Sequence, residues 1–160
     1  MKKLPLAAAS FLLVCLLAAC GGQEAKGPVP FDPNADTQTL LEAEGVFSGE
    51  LLEVDQATAC ALYGIDEDTV ETCKVYMGNT GVSLEELAIF TLKDAEGAEA
   101  AFKALGYRLE DQTEAAAGYA DYLKDELSKL EGARNQQRRN SVLLIVCADY
   151  GPVETFLNGG

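Results

Sequence analysis

Residues 141–148 read Ser-Val-Leu-Leu-Ile-Val-Cys-Ala, and this stretch decides the fold. Five branched apolar residues in a row, with no charge among them, are what a strand in the middle of a sheet carries. Just upstream, Arg139-Asn140 has turn chemistry, and 133–138 reads as a polar, edge-like strand. The two strands make one hairpin. A second hairpin lies earlier in the chain. Residues 70–77 hold Val70, Cys73, Val75, Tyr76 and Met77, and Gly78-Asn79-Thr80-Gly81 supplies a turn. The apolar run Leu87-Ala88-Ile89-Phe90-Thr91-Leu92 then makes its second strand. Ser83-Leu84-Glu85-Glu86 spells a capping box, but the apolar strand that follows makes it a turn into that strand.

Helical periods fill the rest. Asp94 opens the main helix, which runs to about Gly118 with Ala98, Phe102, Leu105, Leu109 and Ala116 on one stripe. A second helix starts near Asp121, carries Leu123, Leu127 and Leu130, and stops at Gly132. Asp36 is placed to cap a short helix through Glu44, and 58–63 is helical up to Gly64. Leu51, Leu52 and Val54 indicate only a turn of structure, and 152–157 a last helical turn. The expected fold is α+β: a small single domain over 36–160, with a mostly antiparallel four-stranded sheet of two hairpins and helices packed on one face.

The first residues carry an address. Lys2 and Lys3 precede an uncharged stretch to Ala19 that is too short for a comfortable membrane span. Leu17-Ala18-Ala19-Cys20 resembles the lipobox of bacterial lipoproteins, in which small residues fit the protease and the cysteine takes the lipid. The expectation is a signal peptide over 1–19 and a lipidated Cys20, with the chain on the outer face of a membrane. Two acyl chains there make anchoring stable, since one holds only marginally. Cys15 fails the same pattern because bulky Val14 precedes it. Residues 20–35 are rich in Gly and Pro and read as a flexible tether.

Charge excludes some partners. Without residues 1–19, ten basic residues stand against 26 acidic ones, a net charge of −16. So acidic a surface argues against nucleic acid and against anionic head groups. The chain has no His, the default acid–base group near neutral pH and the commonest metal ligand. Asp66-Glu67-Asp68 lacks the spacing of a calcium loop. No cofactor or metal is expected. Beyond the anchor, Cys60, Cys73 and Cys147 read as small buried hydrophobes. One internal disulfide is the alternative, its partners left open.

With the elements placed, the chain resembles DUF4358, a lipoprotein-type domain of unknown function in clostridia and related Firmicutes. The resemblance rests on Leu62-Tyr63-Gly64-Ile65-Asp66, on 81–90 with Asp94 after it, on Arg108, Gln112, Tyr119 and Tyr122, and on 141–149. It covers about residues 36 to 158. Asn135-Gln136-Gln137-Arg138 departs from it, being polar where apolar strand residues are usual. The resemblance implies a small extracytoplasmic domain and brings no activity.

Without His, a Ser-His-Asp or Cys-His arrangement cannot form. No S-x-x-K, P-loop or G-x-G-x-x-G motif occurs. Glu85-Glu86 and Asp66-Glu67-Asp68 read as solvated turn residues. The functional expectation is a non-enzymatic binding or accessory module with a protein or cell-wall partner. Its alternatives are an envelope enzyme using a carboxylate pair and a cation- or solute-binding lipoprotein. The candidate surface is Arg108, Gln112, Tyr119, Tyr122, Arg138 and Arg139, with Tyr107 and Arg134 beside it. Arginine suits planar anions, and tyrosine pairs an apolar body with a polar tip. The plainer roles for these side chains are edge-strand solubility and capping of the core.

Overall fold

The computed structural model describes residues 28–159. The expected signal peptide, Cys20 and the first part of the expected tether lie outside the described residues. The elements run α1 (Ala35–Glu42), β1 (Leu51–Val54), α2 (Gln56–Tyr63), a 3-10 turn (Glu67–Thr69), β2 (Val70–Gly78), β3 (Glu86–Leu92), α3 (Ala95–Ala117), α4 (Lys124–Gly132), β4 (Arg134–Arg138), β5 (Ser141–Val146) and α5 (Tyr150–Gly159).

The fold is α+β, with an antiparallel sheet of five strands in the order β1-β2-β3-β5-β4. Both expected hairpins form, and β3 meets β5 at the centre with Ile89 opposite Leu143. The fifth strand is β1, where only a turn was expected. It lies along β2 with Val54 opposite Val75. Four residues, with Glu53 among them, leave too short an alternation to read as a strand.

Helices cover both faces of the sheet, which corrects the one-sided expectation. Ala88, Phe90, Leu92, Val142 and Leu144 pack under α2 and α3. Leu87, Ile89, Leu143, Ile145 and Cys147 point the other way, against Phe31, Leu40, Val46, Val153 and Leu157. A strand buried on both sides carries apolar residues toward both faces, and β5 is buried at all six positions, with Val142 to Val146 an unbroken apolar run. The polar strand β4 forms an edge, as its composition requires.

Local chemistry sets the helix ends. The Asp94 carboxylate accepts from the Gly97 N–H at 2.7 Å and starts α3. Asp55 does the same for α2, accepting from the Thr58 N–H at 3.0 Å. That helix closes on Gly64 at φ 66°, a left-handed position that glycine adopts without strain. At α1 the capping carboxylate is Asp32, which accepts from the Asn34 and Ala35 N–H groups; the expected cap, Asp36, instead accepts from the Asp32 N–H. The final segment is a ten-residue helix rather than a single turn.

The packed domain begins before residue 36. Phe31, assigned to the tether from sequence, is buried against the α1 and α5 side of the core. Its N–H donates to Ser141 Oγ at 2.7 Å.

Candidate functional site

Two adjacent glutamates at the start of β3 are the most buried charges in the described chain. Glu85 is 2% exposed and Glu86 0%. This corrects their reading as solvated turn residues. Strand alternation sends them to opposite sides of the sheet.

Glu86 lies beneath α3 and is held by three donors. Tyr63 Oη donates to Oε1, while Arg108 Nη2 and Gln112 Nε2 each donate to Oε2 at 3.1 Å. Arg108 and Gln112 sit one turn apart on α3, so both reach the same oxygen. The Arg108 guanidinium also lies 5.9 Å from the Tyr63 ring centroid. Burial, and then the charge of Glu86, push the Tyr63 hydroxyl well above its usual value, so it remains a donor. Arg108 and Gln112 were expected on a recognition surface; the structure spends them on an internal carboxylate.

Glu85 is held differently. Its carboxylate accepts from the Ser48 and Gly49 N–H groups at 2.8 and 3.2 Å, and from the Ser48 hydroxyl at 2.9 Å. Lys129 from α4 stands 3.3 Å away and also pairs with Glu126. Lys129 Nζ is 3.0 Å from Ser48 Oγ, a serine–lysine contact that no local motif announces. A serine nucleophile needs a neutral lysine as base. Here burial works against the charge, but the Glu126 hydrogen bond and the Glu85 charge outweigh it, and the Lys129 pKa is raised. The lysine is held as an ammonium donor. The two carboxylates face opposite ways, each with its own cation, so they do not form the paired acids of a carboxylate mechanism.

The remaining expected residues fall into two groups at opposite ends of the sheet. Arg138 is buried at the β4–β5 hairpin, where it donates to the Leu157 carbonyl and lies 4.4 Å from the Phe31 ring centroid. Arg139 occupies the hairpin turn at φ 53°. Arg134 is not with them: it stands at the other end of β4, opposite Ile145, where it pairs with Glu154 at 2.5 Å and stacks on Tyr150. At the far end, Val146 packs with Ala116 and Leu130, beside the α3–α4 connection. Tyr119 and Tyr122 lie in that connection, 64% and 89% exposed. The β2–β3 loop joins them there, since the Leu84 N–H donates to Glu126 Oε2 at 2.7 Å and Val82 beside it is exposed. Six strand residues at about 3.3 Å each put roughly 20 Å between the two ends.

The surface between α3 and α4 is acidic. A groove of about 390 Å³ is lined by Leu109, Glu110, Thr113, Glu114 and Leu130. Asp121 and Asp125 are exposed alongside it. A second groove, of about 570 Å³, lies between α2 and α3 with Leu62, Tyr63, Tyr107 and Arg108 in its walls. Among the described residues no cluster of His, Cys, Asp and Glu is arranged to hold a metal ion. No described helix is long and apolar enough to cross a membrane.

A family model for a domain of unknown function, DUF4358, matches residues 44–147. The chain belongs to the DUF4358 family. No curated protein and no solved structure matches the chain. The DUF4358 match takes in the sheet with α2, α3 and α4, and therefore Tyr63, Glu85, Glu86, Arg108, Gln112 and Lys129. It stops short of the sequence resemblance at both ends and leaves out α1 and α5, the layer over the other face.

Sequence reasoning named Arg108 and Gln112 but missed what they serve. One signal was available. Glu86 opens the apolar strand 87–92 and shares its face with Ala88 and Phe90, so a carboxylate there needs donors from the covering helix.

Proposed function

We propose that this DUF4358 chain is a lipid-tethered, non-enzymatic binding module of the cell envelope, and that it contacts its partner through the α3–α4 end. The observation that carries the reading is the position of Tyr119 and Tyr122. Both are exposed at the end of the sheet opposite the point where the N-terminal segment joins it. A chain anchored through Cys20 would keep the Phe31 end toward the lipid and hold the tyrosines outward. Exposed tyrosines offer large, stiff contact area with a polar tip, the composition of recognition surfaces.

The partner's chemistry follows from which charges remain available. Arg108 and Arg138 are engaged inside the domain, which removes the basis for reading them as an anion-binding face. The exposed acids Glu110 and Glu114 of the α3–α4 groove, with Asp121 and Asp125 beside the tyrosines in the chain, outnumber the exposed Lys124 among them. Such a surface fits a lysine- or arginine-rich segment of a partner protein, through ion pairs and cation–π contacts.

The test is chemical cross-linking of the lipidated protein in its own membranes, followed by mass spectrometry. The expected result is a reproducible partner, cross-linked near Tyr119–Tyr122 and lost in the Tyr122→Ala and Asp121→Lys variants with circular dichroism unchanged. A partner whose cross-links cluster on the Phe31 end, or one indifferent to both substitutions, overturns the surface. Cys20→Ala is expected to move the protein out of the membrane fraction; a variant that still sediments with membrane overturns the anchor.

A further inference from the structure

Cys60 and Cys73 come from elements that are packed on one another. Cys60 is buried on α2, and Cys73 on β2 is half-buried against the same cluster of core side chains. Cys73 Sγ lies 3.9 Å from Gln56 Oε1. Gln56 precedes Cys60 by one helical turn, so it occupies the same face of α2. The thiol on β2 therefore meets the stripe of α2 that holds the other thiol. Cys147 is excluded from this meeting, because it points to the opposite face of the sheet among α1 and α5 side chains.

We propose that Cys60 and Cys73 form a dithiol pair that closes to an intramolecular disulfide when a disulfide oxidant reaches it, with Cys147 left as a free thiol. The half-exposed Cys73 is the entry point. Its thiolate attacks the oxidant's disulfide and forms a mixed disulfide, releasing one thiol. The Cys60 thiolate then attacks the Cys73 sulfur and displaces the second oxidant thiol. The protein loses two protons and two electrons, and the oxidant takes them up as two thiols. A small disulfide such as oxidised glutathione, or an envelope thiol oxidase, supplies that chemistry.

The environment sets the rate. Burial, and after it the neighbouring Cys60, push the Cys73 thiol up to about 11. Only thiolate attacks, so closure is slow at neutral pH and accelerates by roughly tenfold per pH unit while the pH stays below that value. The bond closes a short loop through the 3-10 turn. Linking it restrains the unfolded chain and raises the melting temperature by roughly 5–10 °C.

The experiment uses the full chain incubated with oxidised glutathione at pH 7, 8 and 9, quenched with acid and alkylated. Cleavage after glutamate separates the two cysteines into peptides 54–67 and 72–85. The expected product is those two peptides joined, two hydrogens lighter than their sum, with Cys147 alkylated and a yield that climbs with pH. The pairing is overturned if Cys60 and Cys73 remain fully alkylated at pH 9, or if either is found joined to Cys147. The Cys147→Ser variant, assayed the same way, is expected to close at the wild-type rate; loss of closure there also overturns the pairing.

Discussion

Arg108 Nη2 stands 3.1 Å from Glu86 Oε2, an ion pair that fastens the long helix α3 to the central strand β3. The carboxylate has no exposed surface, while the arginine side chain is 21% exposed. Desolvating such a pair costs about as much as the pairing returns, so its net contribution is small. Breaking it is another matter. Arg108→Ala strands a charge in the core and is expected to cost about 3–5 kcal/mol, read from the urea midpoint. Replacing both partners, as Glu86→Leu with Arg108→Met, removes the stranded charge but leaves Tyr63 and Gln112 without their acceptor, so it is expected to recover part of that loss. A double variant as unstable as Arg108→Ala would mean that the helix depends on the pair itself.

Stability is expected to fall above pH 9. The buried Cys147 thiol, ordinarily near 9.0, is pushed up to about 12 by burial. Burial raises the Tyr63 and Tyr150 hydroxyls in the same direction. A raised pKa means that the folded state keeps its proton where the unfolded chain has lost it. The contribution is whole below the unfolded value and declines as pH climbs toward the folded one. For Cys147 alone the loss at pH 11 is about 2–3 kcal/mol. Lys129 adds to the fall further up, since its pKa is raised as well. Urea midpoints between pH 7 and 11 check this, and a midpoint unchanged from pH 9 to 11 would contradict it.

The central strands were legible because each carries an unbroken apolar run, 87–90 in β3 and 142–146 in β5. The same fact held a message the one-sided expectation overlooked. A strand covered on one face alternates, and residues 142–147 do not, so a second helical layer had to exist. That layer came from two segments with weak local signals. Tyr150–Gly159 contains two glycines and a proline, which mask its helical period. Phe31 sits in a stretch whose glycines and prolines read as linker, yet it is buried by Phe156 and Arg138, residues more than 100 positions away. The site was half legible for a related reason. Arg108 and Gln112 stand out as polar residues on α3, but their target is fixed by tertiary packing. Tyr119 and Tyr122, which depend on no distant partner, stay exposed in the connection between two helices.

The start of the domain is testable through Phe31. Its ring is buried, stacks near Phe156 at 6.4 Å between centroids, and carries the Arg138 guanidinium over its face. Phe31→Ala is expected to cost about 3 kcal/mol. A chain trimmed to begin at residue 36 should lose at least as much, because the Ser141 hydroxyl also loses the Phe31 N–H. Thermal melts of both forms give the answer. Changes within about 0.5 kcal/mol, as for an exposed position, would return residues 28–35 to the tether.

Tyr150 joins three elements through one hydroxyl, which accepts from the Cys147 N–H at 3.0 Å and donates to the Lys129 carbonyl at 2.7 Å. Gly132, the last residue of α4, lies against the edge of that ring, and a Cβ there would fall inside its van der Waals envelope. Two effects therefore compete in Gly132→Ala. Alanine favours the helical residue by about 1 kcal/mol over glycine. Against that, the ring must move, and it is pinned by both hydrogen bonds and by Arg134, 5.2 Å from its centroid. Displacing it forfeits two hydrogen bonds and their packing, about 2–4 kcal/mol, so the net expectation is destabilisation. Tyr150→Phe loses the bonds without the clash and should cost about 1–2 kcal/mol. In the Tyr150→Phe background the ring is free to give way, so the added cost of Gly132→Ala should shrink. A double-variant cycle that returned simple additivity would show that the glycine and the ring do not act on one another.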